Sequence, residues 1–127
     1  MRVLIADDQK SVGTSLAALV DLCGHEVVEI VGSGLEAIQA YSRHKPDVVL
    51  MDYSMSKLNG ATACRNILAR DSAARVILVS GWSSANDLTG SGAIAVLRKP
   101  VRLDQLYAAL HAAAPPSNAI SKSPPAS

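Results

Sequence analysis

Phenylalanine is absent, and one Trp and three Tyr are the only aromatic residues among 127. Any core must therefore be aliphatic, built from Val, Leu, Ile and Ala. Cysteine is equally scarce: Cys23 and Cys64 lie in predicted helices, without a second Cys or a His at metal-ligand spacing. Reduced, partly buried thiols are expected there. No apolar stretch approaches the ~20 residues that span a bilayer, and Met1 to Ala6 is too short a run for a signal peptide. A soluble, cytoplasmic chain is expected. A formal charge of +1 supplies no global field to gather nucleic acid or an anionic membrane, and no local basic patch replaces it. Neither nucleic acid nor membrane is expected as a partner.

What is present is a large apolar fraction, 49% against 18% charged, which excludes a disordered chain. The length suits one domain able to bury a core without disulfides. Five short aliphatic runs recur: Val3 to Ala6, Val27 to Val31, Val48 to Met51, Val76 to Val79 and Ala93 to Leu97. They read as strands mostly buried on both faces. Between them, apolar residues three or four apart mark helix faces: Val12, Leu16, Leu19 and Val20; Leu35, Ile38 and Tyr41; Ile67 and Leu68; Leu103, Leu106, Tyr107 and Leu110. This alternation predicts an α/β fold, a doubly wound five-stranded parallel sheet. Ser83 to Leu88 is the sole candidate for a helix between the last two strands, shortened by Gly90 and Gly92. The domain is expected to cover residues 1–113, and the Pro- and Ser-rich residues 114–127 to be a disordered tail.

In an open parallel sheet, ligands bind beyond the carboxyl ends of the strands. Asp7 and Asp8 follow the first strand, Asp52 the third, Ser80 the fourth and Lys99 the fifth. Only the second ends without such a residue, in Gly32 and Ser33, which fits an edge strand and the order 2-1-3-4-5. Each residue alone has a plain structural use: an Asp caps a helix or starts a turn, a Ser or Lys decorates a loop. Together, three carboxylates at neighbouring strand ends repel by about 4 kcal/mol per pair at ~4 Å and an effective dielectric of ~20, and call for a cation. Mg²⁺ fits, since it takes one or two carboxylates and shares a phosphate oxygen. Asp52 then suits a carboxylate nucleophile that forms an aspartyl phosphate, with Lys99 neutralising charge and Ser80 donating its hydroxyl.

These residues resemble the receiver domain of two-component response regulators, from Arg2 to about Ala113. The matching pieces are Asp7-Asp8, Asp52 within the run to Gly60, Ser80, Gly92-Ala93 and Lys99-Pro100. The resemblance implies a flavodoxin-like receiver fold, Mg²⁺ on Asp8, Asp52 and the Ser54 carbonyl with Asp7 acting through water, and a cis Lys99-Pro100 bond. It also implies a histidine kinase or phosphotransfer protein as phosphoryl donor, an output protein reached by protein-protein contact, and a monomer or a weak phosphorylation-linked dimer. Such a domain is not an enzyme. Three departures stand out: Ser56 where the family usually has Pro, Val96 where an aromatic is common, and a short stretch from Ser80 to Gly92. Two other readings share the sheet. One is a receiver-like binding module independent of phosphorylation; the other is a phosphohydrolase, which usually needs a second Asp where Ser54 stands.

Overall fold

Val3, Leu4, Ile5 and Ala6 are all inaccessible to solvent, as are Val48 to Met51 and Ile77 to Val79, because their alternating side chains face helices on both sides of one sheet. The computed structural model describes residues 1–55, 58–81 and 90–114. In chain order the elements are β1 (Arg2–Ala6), α1 (Lys10–Leu22), β2 (Glu26–Val31), α2 (Gly34–His44), β3 (Val48–Asp52), α3 (Gly60–Arg70), β4 (Val76–Ser80), β5 (Ala95–Arg98) and α4 (Leu103–Ala113). All four strand pairings are parallel, in the order β2-β1-β3-β4-β5. The expected fold class and strand order are those observed. Trp82, the expected short helix Ser83 to Leu88, and residues 115–127 of the expected tail lie outside the described residues.

Strand alternation splits the core into two layers. Leu4, Ala6, Val49, Met51, Val76 and Leu78 meet Ala37, Ile38 and Tyr41 of α2 and Ala63, Cys64 and Ile67 of α3. On the opposite face Val3, Ile5, Val48, Leu50 and Ile77 meet Leu16 and Val20 of α1 and Leu106, Leu110 and Ala113 of α4. Two expectations change here. The edge strands β2 and β5 are only partly buried, since each is covered on fewer sides than the central three. Leu35, Leu103 and Tyr107, predicted on buried helix faces, are exposed at 59%, 44% and 55%.

Local chemistry fixes where helices begin. Ser33 Oγ accepts the Glu36 amide at 3.1 Å, and Glu36 Oε1 reaches back to the Gly32 amide at 2.9 Å, a reciprocal cap on α2. Asn59 Oδ1 accepts the Thr62 amide at 2.9 Å at the start of α3. α2 stops where Lys45 turns to φ 46° ahead of Pro46, which cannot continue a helix. Burial raises the thiol pKa of both cysteines, that of Cys64 to about 11, so neither is a poised nucleophile.

Candidate functional site

The register of the sheet brings the strand ends together. Ala6 pairs with Met51, Asp52 with Val79 and Ser80 with Arg98, so Asp7, Asp52, Ser80 and Lys99 occupy adjacent positions at one rim. Asp7, Asp52 and Ser80 are buried, while Asp8 is exposed. One carboxylate oxygen from each of Asp7, Asp8 and Asp52 lies within 4.8 Å of the others. That donor set, all hard oxygen, suits Mg²⁺, with the carboxylates of Asp8 and Asp52 available as ligands.

Lys99 extends the site in a way the sequence reading did not foresee. Its Nζ stands 3.1 Å from Asp52 Oδ1 and 3.3 Å from Asp7 Oδ2, so the ammonium bridges the two buried carboxylates. Part of the repulsion argued from the sequence is thus compensated within the protein. Burial would lower the Lys99 pKa, but the hydrogen bond and charge of Asp52, with Asp7 behind it, outweigh this and raise it. Asp52 is held above the ordinary carboxylate range. Burial is the main cause; Lys99 opposes it through its hydrogen bond, and the charge of Asp7 adds to it. The Lys99-Pro100 bond is cis, and the Lys99 amide donates to the Ser80 carbonyl at 2.9 Å.

The three aspartates are not equivalent. Asp7 Oδ1 accepts the Gln9 amide at 2.8 Å and its Oδ2 faces Lys99, so both oxygens are engaged. Asp52 takes the Ser54 amide at 3.3 Å and Lys99, and both contacts fall on Oδ1 rather than Oδ2. Neither Asp7 nor Asp8 caps α1, whose N-cap is Gln9.

Glycine spacing supports this arrangement. Gly60, the first residue of α3, lies so close under Asp52 that an added Cβ would collide with the Asp52 carbonyl oxygen and stand 2.9 Å from both its carbonyl carbon and the Tyr53 Cα. The sequence reading quoted Gly60 without a role, and it missed the Gln9 amide altogether. A backbone donor leaves no mark in residue type. Ser56 lies outside the described residues, and Val96 is 42% exposed on the edge strand β5.

Parallel strands in this order, with acidic residues, a serine and a lysine at their carboxyl ends, define a receiver-type domain. The family model described as response regulator receiver domain matches residues 3–111, and the chain belongs to that family. Among curated proteins it is 33% identical over 117 residues to the chemotaxis protein CheY of Listeria monocytogenes, covering 90% of this chain and 98% of that one. It is 35% identical over 116 residues to the transcriptional regulatory protein PdtaR of Mycobacterium tuberculosis, covering 88% of this chain and 56% of the relative. Among solved structures, the complex of CheX with CheY, BeF3 and Mg²⁺ from Borrelia burgdorferi matches with TM-score 0.83 and 27% identity, covering 88% and 87% of the two chains. A receiver domain from Clostridium thermocellum matches with TM-score 0.81 and 27% identity, covering 88% and 92%. No helix among the described residues is long and apolar enough to cross a membrane.

Proposed function

We propose that the chain is a phosphoacceptor of a two-component phosphorelay, taking a phosphoryl group onto Asp52 from a histidine kinase or phosphotransfer protein. The observation that carries this reading is the cluster itself: three carboxylate oxygens within 4.8 Å, with Lys99 Nζ 3.1 Å from Asp52. Asp52 Oδ2 attacks phosphorus, an O–P bond forms, the P–N bond to the donor histidine breaks, and the imidazole leaves with the electron pair. Lys99 supplies positive charge beside the group being transferred, and the Ser80 hydroxyl donates to one phosphoryl oxygen. Asp8, Asp52 and the Ser54 carbonyl would hold Mg²⁺, with Asp7 behind them. When bound, the metal offsets negative charge on the phosphoryl oxygens.

The phosphoryl group ends on the chain's own side chain, so we assign no turnover of an external substrate. Output passes by contact with another protein, in a cytoplasmic setting, from a monomer or a weak phosphorylation-linked dimer; the CheX complex of the Borrelia relative supports a protein partner. The test is intact-mass measurement after incubation with a small acyl phosphate and Mg²⁺. The expected result is a gain of one phosphoryl group in the wild type and none in Asp52→Asn. An unmodified wild type would favour a binding module that works without phosphorylation, and uptake by the variant would remove Asp52 from its role.

A further inference from the structure

We propose that Gly34, in the first turn of α2, is a positioning residue for the loop after Asp52, and that its contact with Leu58 sets how tightly the acidic pocket holds Mg²⁺. Gly34 is buried, and its φ lies outside the left-handed region. The backbone there accepts any residue, and Ala would favour the helix more than Gly does. Room is therefore what the position requires. A Cβ on Gly34 would stand 2.9 Å from the Leu58 carbonyl oxygen, 3.1 Å from its Cδ2 and 3.2 Å from its Cβ. A carbonyl oxygen cannot swing aside as the end of a long side chain can, so the loop backbone itself must yield.

The two sides of this contact are unequally held. The start of α2 is fixed by the Ser33 and Glu36 caps, and the end of β2 is tied to the site because the Asp7 amide donates to the Val31 carbonyl at 2.9 Å. The Tyr53 carbonyl closes a tight turn by accepting the Met55 amide at 3.2 Å, and it also accepts the Gly60 amide at 2.8 Å. Ser54 lies inside that turn, with its amide on Asp52 Oδ1 and its carbonyl as the third ligand of the proposed metal set. Pressure on Leu58 passes to Gly60, whose amide is bound by the Tyr53 carbonyl, and so displaces Ser54. The inference rests on the phosphoacceptor reading of the pocket.

Calorimetric titration with Mg²⁺ tests it, comparing wild type, Gly34→Ala, the double variant Gly34→Ala/Leu58→Ala, and Leu106→Ala as a destabilised control in the opposite core layer. Gly34→Ala is expected to bind Mg²⁺ about tenfold more weakly, as loss of support behind a metal ligand does. The double variant should stay weak, because Ala at position 58 keeps the carbonyl oxygen and Cβ that meet the new methyl, while Leu106→Ala should lower the melting temperature without changing the affinity. In the wild type, the amide resonances of Gly34 and Leu35 should shift with the same Mg²⁺ midpoint as that of Asp8, a readout that does not depend on any variant folding. Unchanged affinity in Gly34→Ala, or silent Gly34 and Leu35 amides, would overturn the inference alone. A wild type that binds no Mg²⁺ at millimolar levels would overturn the pocket reading and the inference with it.

Discussion

Asp52 is buried, faces a second buried carboxylate in Asp7, and takes both the Ser54 amide and Lys99 on Oδ1. Its raised pKa has a consequence for stability. A carboxylate whose pKa is raised by folding costs stability when ionised, and the cost fades as pH falls through the raised value and the folded state takes up its proton. In chelator at neutral pH, Asp52→Asn should therefore melt at a higher temperature than wild type. The difference should shrink on acidification toward the ordinary carboxylate range near ~4. Added Mg²⁺ should stabilise wild type more than the variant, because only the native carboxylate set binds it fully. Thermal scans across pH with and without metal check all three outcomes; a variant less stable than wild type in chelator would mean that the Lys99 pair outweighs burial.

At the scale of elements, the helices owe their place to narrow stripes. In α4 the buried residues Leu106, Leu110 and Ala113 form one stripe, and Leu103, Tyr107 and His111 form the next, where the rings of Tyr107 and His111 stack at 6.2 Å. Spacing by three and four joins Leu103 to Leu106 as readily as to Tyr107, so the sequence reveals a helix with an apolar side but not which of two adjoining stripes meets the sheet. Leu35 is exposed for a similar reason, since it lies in the first turn of α2 beside the capping residues. The strands were easier to read, because runs such as Val48 to Met51 leave no polar face and only a doubly covered sheet buries them. Leu106 is inaccessible and joins α4 to β1, β3 and β4 within one layer. Leu106→Ala should cost about 2–5 kcal/mol of unfolding free energy, measured by urea titration, with the fold retained. A loss well under 1 kcal/mol would mean that α4 contributes little to that layer.

Over the whole molecule, the site is a product of topology. Residues far apart in sequence, Asp7, Asp52 and Lys99, meet because parallel strands all end at one rim and the order reverses between β1 and β3. That part was legible in advance, since strand ends can be found in a sequence and their polar followers noted. Distances between loops were not legible: the bridge from Lys99 to both carboxylates, the Gln9 amide on Asp7, and the approach of Gly34 to Leu58 depend on how separate turns lie beside one another. The account rests on one of three neighbouring carboxylates being the acceptor. Asp7 has both oxygens engaged, Asp8 is exposed to solvent, and Asp52 is buried with one oxygen, Oδ1, 3.1 Å from Lys99 Nζ. Reductive trapping of the phosphorylated chain with borohydride, followed by peptide mapping, reads the acceptor directly. The expected label lies on Asp52 alone; a label on Asp7 or Asp8, or none on a chain shown to carry the phosphoryl group on a carboxylate, would contradict it.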